Sequence, residues 1–181
     1  MNVCIFCGSG AGNNPLYGTV AKHMGSLLAR SQSTLVYGGG NIGLMGVIAD
    51  QVLAEHGKVI GIIPDFLMNR EVGHSGLTQL EVVGSMHERK RRMADLAEVF
   101  IAMPGGWGTL DELAEILTWK QLGLVRASIG ILNTNHFFDS LIEQMRIMVV
   151  EGFLQAKNLE EIKVADDPER LLIQLGVIPV K

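Results

Sequence analysis

Short apolar runs alternate along the chain with longer stretches in which apolar residues recur every three or four positions. The runs are four to six residues long and contain few polar side chains, as in strands buried on both faces of a parallel sheet. The stretches between them have the length and periodicity of amphipathic helices. The pattern therefore predicts an α/β fold, a single doubly wound Rossmann-like parallel sheet with helices on both faces. The predicted strands are residues 2–6, 33–37, 58–63, 79–83, 98–103 and 129–132, with a weaker seventh at 162–164, and the predicted helices are 15–30, 43–56, 85–96, 109–122, 137–151 and 167–175.

Composition agrees with one globular domain. The chain has 181 residues, of which 48% are hydrophobic, and no linker or low-complexity segment divides it, so residues 1–181 are predicted to form a single domain. A net charge of −4 argues against a nucleic-acid interface. No apolar run approaches the roughly 20 residues that span a bilayer. The N-terminus has the pattern of a core strand rather than of a signal peptide, and we expect a cytoplasmic protein.

Glycine-rich or charged loops follow several predicted strands. The sequences CGSGAG, YGGGNIGLMG, PDFLMNRE and MPGGWGT come after the first, second, third and fifth strands, and the helix containing SMHERKRRM begins after the fourth. In a doubly wound sheet, ligands bind in the crevice beyond the carboxyl ends of the strands. We therefore expect these loops to form one substrate site, with Gly8 and Ser9 from the first loop and Gly39 and Gly40 from the second.

The segment MPGGWGTLDE has the features of a phosphate site with a carboxylate beside it. Its glycines allow the backbone N–H groups of Gly105 to Thr109 to converge on an anion at a helix N-terminus. Cleavage of a ribosyl bond requires negative charge close to such a phosphate, because its transition state resembles an oxocarbenium cation. Glu112 is therefore a candidate catalytic residue. Thr109 and Glu112 also have the spacing of a helix capping box, and the two roles are compatible.

Arg89 is the second candidate for chemistry. Ser85 and Glu88 have capping-box spacing, which predicts that the helix begins there and that Arg89 lies in about its first turn. The helix dipole disfavours a cation at that position, so Arg89 suggests an anionic partner in the crevice. A salt bridge within the protein remains the alternative for Arg89 and, equally, for Lys90.

Three other kinds of site receive less support. Gly38 to Gly43 match G-x-G-x-x-G, with Asp65 at a suitable distance, but this NAD fingerprint usually follows the first strand of its unit. NAD would also leave the second glycine loop unexplained. Cys4 and Cys7 lie three apart in a strand, which places them on opposite faces and predicts buried structural thiols. The five histidines have no metal-ligand spacing, and neither a metal nor a cofactor is expected.

The predicted helix 109–122 has apolar residues on two sides. A helix that is apolar on both sides is buried on both sides, which fits either a homodimer interface or a helix enclosed by the core. Both interpretations stay open from the residues alone. One stripe consists of Leu110, Leu113, Ala114 and Leu117, and the second contains Ile116 and Trp119.

With these motifs, residues 2–154 resemble the LOG ("Lonely Guy") family, the cytokinin riboside 5′-monophosphate phosphoribohydrolases. The most specific parts are the paired R-K of MHERKRRM and P-G-G-x-G-T-x-x-E; MNRE and VVEGFL add to the resemblance. It implies a Rossmann-like homodimer without a cofactor that hydrolyses the N-glycosidic bond of AMP or N6-modified AMP, giving free base and ribose 5-phosphate. It also implies that Arg89 and Glu112 are the catalytic pair. The residues implied to contact the nucleotide are Glu71, Lys90, Gly106, Trp107, Gly108, Thr109 and Thr118.

The chain departs from the family pattern at two places. Trp107 stands where tyrosine is common, and LVRAS at 124–128 replaces a segment that usually carries His and Lys-Pro, so we expect an effect on base preference. Homologues have often been labelled lysine decarboxylases, but the sequence offers no convincing pyridoxal-lysine setting. A non-catalytic nucleotide or molybdenum-cofactor carrier is the alternative function. The presence of both Arg89 and Glu112 favours the enzyme.

Overall fold

A single parallel sheet forms the centre of the computed structural model, which describes residues 1–68 and 73–180. The strands are β1 (Asn2–Phe6), β2 (Thr34–Tyr37), β3 (Lys58–Pro64), β4 (Gln79–Val83), β5 (Val99–Ala102), β6 (Ser128–Leu132) and β7 (Lys163–Ala165). They are arranged in the order β4-β3-β2-β1-β5-β6-β7, and each neighbouring pair is parallel. All six predicted strands and the weaker seventh are present, with β7 at its predicted place.

Helices connect most of the successive strands, and a 3-10 turn is the helical element described between β3 and β4. The helices are α1 (Pro15–Arg30), α2 (Gly43–Ala54), α3 (Met86–Leu96), α4 (Trp107–Gln121), α5 (Asp139–Val150), α6 (Ala156–Glu160) and α7 (Pro168–Gln174), with 3-10 turns at Asp65–Leu67 and Thr134–His136. The structure adds α6, whose five residues are too short to show a helical period in the sequence. Helix α4 begins two residues before its predicted start at Thr109. No helix among the described residues is both long enough and apolar enough to cross a membrane.

Both faces of the sheet are covered by apolar side chains. Val3 and Ile5 point into the core formed with α1, α2 and α7, whereas Cys4 and Phe6 point into the core formed with α3, α4 and α5. This alternation along a strand buried on both sides confirms the doubly wound α/β fold. Cys7 belongs to the first core, so the two cysteines lie on opposite faces as predicted. Burial raises the pKa of both thiols well above the ordinary value.

The order of the strands reverses direction at β1. The chain moves from β1 to β2 on one side, while β5 lies on the other side and leads to β6. The loops after β1 and β5 therefore diverge and leave a crevice at the carboxyl edge of the sheet, where ligands bind in folds of this kind. The N–H of Gly8 donates to the carbonyl of Pro104 at 3.1 Å, which joins the two loops at the bottom of this crevice.

Candidate active site

A polar pocket of about 130 Å³ opens in this crevice. Its walls come from the loops after β1, β2 and β5 and from the first turns of α3 and α4. Eight of the residues predicted for the site line it: Gly8, Ser9, Arg89, Gly106, Trp107, Gly108, Thr109 and Glu112. Residues separated by about a hundred positions in the chain thus meet in one pocket, to which the loops after β1, β2 and β5 contribute and the described residues of the loop after β3 do not.

Helix α4 presents free backbone donors to the pocket. The cap of α4 is Gly106, which has no side chain to bond the first turn, and the first bond along the helix runs from Leu110 N–H to Gly106 carbonyl at 3.2 Å. The N–H groups of Trp107, Gly108 and Thr109 therefore have no acceptor within the helix. Together with the positive end of the helix dipole they form an anion-binding position.

The start of α4 also corrects the capping-box interpretation of Glu112. Because the cap is Gly106, Thr109 lies inside the first turn and is 3% exposed, so Thr109 and Glu112 do not form a box at the helix end. The Thr109 side chain instead packs on Gly105, where an added Cβ would lie 2.8 Å from the Thr109 Cβ and 2.9 Å from Gly8 N. Glu112 faces the pocket, one turn further along the helix than the anion position.

Arg89, from α3, lines the same pocket as the first turns of α4. Helix α3 begins as predicted, with the Ser85 hydroxyl accepting from Glu88 N–H at 3.1 Å. Arg89 is 5% exposed, and its Nη2 donates to the carbonyl of Gly38 at 3.0 Å. A guanidinium group stays charged in proteins, and burying a charge is costly unless charged or hydrogen-bonding groups surround it. Arg89 therefore places a buried, hydrogen-bonded cation on the wall of the pocket.

Arg89 and Glu112 bring opposite charges to the floor of the pocket. The Cys7 thiol lies on that floor, and burial raises the pKa of this thiol most strongly. Glu112 raises the same pKa further, and Arg89 lowers it. Both charged side chains are therefore close enough to act on the same point in a medium of low polarity. A positively charged transition state and an anionic substrate can both be stabilised there.

Lys90 is placed differently from its neighbour Arg89. Its Nζ lies 3.0 Å from an Asp111 carboxylate oxygen and 3.3 Å from a Glu115 carboxylate oxygen, and its side chain is 11% exposed. Burial opposes the charge, but the hydrogen bonds that Lys90 donates to the two carboxylates raise the pKa of Lys90 above its ordinary value. Lys90 is thus an ionic link between α3 and α4, behind the turn that carries Glu112.

Other predicted contacts lie away from the pocket wall. Gly39 and Gly40 are buried behind Gly38, and Gly105 lies beneath Thr109. Thr118 is exposed six residues beyond Glu112 and lines a separate apolar groove. Glu71 falls outside the described residues.

The glycines after β2 serve backbone packing. Gly43 has φ +60°, and an added Cβ would lie 2.6 Å from Gly10 N. Leu44 N–H, in the first turn of α2, donates to the carbonyl of Gly8 at 3.0 Å. The N-terminus of α2 thus binds the loop after β1, rather than standing open to a pyrophosphate as an NAD site requires. The G-x-G-x-x-G match therefore has a packing explanation.

Gly38 and Met45 line the pocket but were not predicted as site residues. Gly38 is the first glycine of the G-x-G-x-x-G motif.

The crevice continues past Gly8 and Ser9 into a second cavity of about 300 Å³. Tyr17 and Phe137, with ring centroids 6.0 Å apart in an edge-to-face pair, form part of its wall. Small-molecule sites usually have volumes of about 300 to 1,000 Å³. The two adjoining cavities therefore provide more room than a ribose phosphate alone requires.

The fold and the pocket together define a Rossmann-like protein with an anion-binding helix terminus beside a buried arginine and a glutamate. Comparison with known sequences gives the family. A family model described as "Possible lysine decarboxylase" matches residues 45–175. The cytokinin riboside 5′-monophosphate phosphoribohydrolase of Rhodococcoides fascians is 43% identical over 169 residues, covering 93% of this chain and 85% of the relative. The chain belongs to this phosphoribohydrolase family.

Plant relatives give the same result. A cytokinin riboside 5′-monophosphate phosphoribohydrolase of Arabidopsis thaliana is 40% identical over 173 residues, with 96% of this chain and 80% of the relative covered. Among solved structures, the protein TM1055 superimposes with a TM-score of 0.75 at 21% identity, covering 98% of this chain and 99% of the other. A molybdenum cofactor binding protein of Rippkaea orientalis gives a TM-score of 0.71 at 21% identity, with coverages of 97% and 93%. At these identities the structural matches show the shared fold alone.

Proposed function

We propose that this protein hydrolyses the N-glycosidic bond of AMP or N6-modified AMP, releasing the free base and ribose 5-phosphate. The observation that carries the proposal is the position of Glu112, which lines the pocket one turn beyond the anion-binding start of α4, together with the buried Arg89. The names of the curated relatives, which describe phosphoribohydrolases of cytokinin riboside 5′-monophosphates, agree with this chemistry.

The 5′-phosphate binds at the N–H groups of Trp107, Gly108 and Thr109, with Gly105 and Gly106 shaping the loop. Gly8 and Ser9 form the adjoining wall. We include Gly39, Gly40, Glu71, Lys90 and Thr118 as further contacts on the strength of the sequence alone. Their contact with the nucleotide stays a prediction.

The reaction follows from the charges around the ribose. The C1′–N9 bond breaks, its electron pair moves to the base, and the sugar becomes an oxocarbenium-like cation. The Glu112 carboxylate stabilises this cation and accepts a proton from the water whose oxygen bonds to C1′. The Arg89 guanidinium stabilises negative charge on the departing base or orients the ribose. A proton from solvent completes the neutral base.

A lysine decarboxylase activity is not supported by the lysine next to Arg89. A pyridoxal Schiff base forms on a neutral amine, which requires a lowered pKa. The raised pKa of Lys90, caused by its bonds to Asp111 and Glu115 against the effect of burial, keeps this ammonium protonated.

Release of free base tests the proposal. The purified protein is incubated with AMP and with isopentenyladenosine monophosphate, and free base is measured by chromatography. Glu112→Gln keeps the side-chain size but removes the charge, and kcat is expected to fall by about 10²- to 10³-fold. Glu143→Gln, an exposed position on α5, is the matched control and is expected to keep the wild-type rate.

Two results would contradict the proposal. One is that the wild type releases no base from either nucleotide, and the other is that Glu112→Gln keeps full activity. Tight nucleotide binding without turnover would support the carrier function instead. A panel of nucleoside monophosphates compared by kcat/KM identifies the preferred base, which the exposed Trp107 at the pocket mouth is expected to influence.

We further propose that the protein is a homodimer through an apolar groove of about 350 Å³ between α4, α5 and α6. Leu113 and Ile116 face the core from α4, while Ala114 and Thr118 on its other side are exposed. The large apolar side chains of Val150 and Phe153, at the end of α5, are more than 80% exposed. Exposed apolar side chains beside an apolar groove are typical of an interface, and a symmetric pair covers them on both copies.

Light scattering of the purified protein checks the dimer. Ala114→Glu places a charge in the groove and is expected to give a monomer. Thr19→Glu, an exposed position on α1, is the control and is expected to leave the mass unchanged. A monomeric wild type, or a dimeric Ala114→Glu variant, would show that another face or no face is used.

A further inference from the structure

His74 is a buried imidazole outside the pocket, 7% exposed, with both ring nitrogens hydrogen-bonded. Its Nδ1 accepts from the N–H of Gly76 at 3.0 Å, and its Nε2 lies 3.0 Å from the Asp50 carboxylate on α2. Because Nδ1 is an acceptor, the neutral ring carries its proton on Nε2 and donates it to Asp50. The ring therefore ties residues 73–76 to α2.

The backbone around His74 holds the glycine loop after β2. The N–H of His74 donates to the carbonyl of Gly39 at 3.0 Å, and Gly73 forms an antiparallel bridge with Gly40. Gly39 has φ +77°, a conformation that side-chain-bearing residues rarely adopt. A run of glycines has no side chains of its own to fix its carbonyl groups, so bonds from outside the loop determine their direction.

One of those carbonyl groups holds Arg89. Gly38 precedes Gly39 directly, and its carbonyl accepts from Arg89 Nη2 at 3.0 Å. A continuous series of bonds thus runs from Asp50 through His74 and Gly39 to the Gly38 carbonyl and the guanidinium. None of these bonds involves the anion-binding turn at the start of α4.

We propose that His74 is a positioning residue for Arg89, acting through the glycine loop. The proposal rests on the proposed function, in which the guanidinium acts on the transition state. A reacting group displaced by about 1 Å can lose on the order of 10²-fold in rate. His74 therefore governs kcat more than KM, because the phosphate contacts lie on a different element.

Three substitutions separate the bonds of the ring. His74→Ala removes both bonds and is expected to lower kcat at least tenfold, with KM within about threefold of wild type. His74→Asn keeps an acceptor for the N–H two residues on, as in an Asx turn, and His74→Gln keeps a donor that reaches towards Asp50. Each conservative variant is expected to recover part of the lost rate. His23→Ala, at an exposed position on α1, is the matched control.

A double-variant cycle with Arg89→Lys tests the route. If His74 acts through Arg89, His74→Ala lowers kcat much less in the Arg89→Lys background than in the wild type. If Arg89→Lys is too slow to assay in the steady state, the same cycle is measured as single-turnover base release with enzyme in excess over AMP, where the same non-additivity is expected. If His74→Ala acted only by destabilising the protein, it would lower the melting temperature and reduce kcat by the same factor in both backgrounds.

The outcomes distinguish the two proposals. Two results would overturn the positioning role alone while the wild type still turns over. One is a His74→Ala kcat within twofold of the wild-type value, and the other is a cycle in which the effects of the two substitutions on kcat simply multiply. A wild type that releases no base from any nucleotide overturns the proposed function, and the role of His74 falls with it.

Discussion

Gly38→Ala is the sharpest structural test of the position of Arg89. An added Cβ at Gly38 would lie 2.9 Å from the guanidinium carbon of Arg89, nearer still to Nη2, and 3.2 Å from the sulfur of Met45. The backbone at Gly38 is outside the left-handed region, so alanine acts through this contact and not through backbone strain. Arg89 is 5% exposed and lines the pocket, into which its side chain can shift. The methyl group therefore displaces the guanidinium from the Gly38 carbonyl.

The size of the effect follows from the bond that is lost. A hydrogen bond to a charged group contributes about 1.5–3 kcal/mol, and this is the expected loss in the free energy of unfolding. A guanidinium displaced by about 1 Å costs on the order of 10²-fold in rate, which corresponds to about 2.7 kcal/mol of transition-state stabilisation. Gly38→Ala is therefore expected to fold while kcat/KM for AMP falls about a hundredfold.

Two measurements on the same preparation check this prediction. Denaturant unfolding gives the stability, and base release from AMP gives kcat/KM. Gly18→Ala on α1 is the control, since an added Cβ there meets no atom within 4 Å, and its activity is expected to be unchanged. A folded Gly38→Ala variant with kcat/KM within threefold of wild type would refute the argument that the guanidinium must occupy this position.

Three further predictions concern stability. Hydrogen bonds from Arg92, at 2.6 and 3.0 Å, lower the pKa of Glu81 below 4.5. The ionised Glu81 therefore stabilises the folded protein above pH 4.5, and this contribution is lost as the pH falls through the folded-state pKa. In Glu81→Gln the free energy of unfolding should therefore fall less steeply at acid pH than in the wild type. The difference is expected to be less than about 1 kcal/mol because the pair is partly exposed, and an unchanged pH dependence would contradict the prediction. Lys90→Met should lower the free energy of unfolding, measured by urea denaturation, by roughly 1–2 kcal/mol, because two carboxylates lose their shared cation. Equal stability would show that these ion pairs do not stabilise the protein. Gly43→Ala, at φ +60° and against the Ser9 backbone, should destabilise by more than about 1 kcal/mol, and a wild-type melting temperature would show that the loop adapts.

Much of the fold could be predicted from the sequence, because strands buried on both faces leave uninterrupted apolar runs and the helices between them keep a regular period. The order of the strands is a different matter. Periodicity does not record which strands are neighbours, and the place of β1 between β2 and β5 is visible only in three dimensions. Helix α6 was missed because five residues are fewer than two helical turns.

Candidate site residues could be selected from the sequence where the side chain carries a charge, and not where the backbone makes the contact; their functional roles stay predictions. Arg89 and Glu112 carry charges whose chemistry is evident from sequence, and the pocket contains both. The start of α4 was misplaced because glycine at the cap lets a helix begin without a capping side chain. Gly38 was not predicted as a site residue because it contributes a carbonyl group and the absence of a Cβ. These properties matter only because Arg89 lies against them, which the sequence does not show.

The central place of β1 has a consequence for synthesis on the ribosome. Residues 2–6 are synthesised well before β5, which begins at Val99 and pairs with one edge of this strand. An apolar strand with an unpaired edge is prone to associate with other chains until its neighbour is available. About half of the chain must therefore be made before β1 is enclosed, and the nascent protein is expected to depend on chaperones most strongly during that interval.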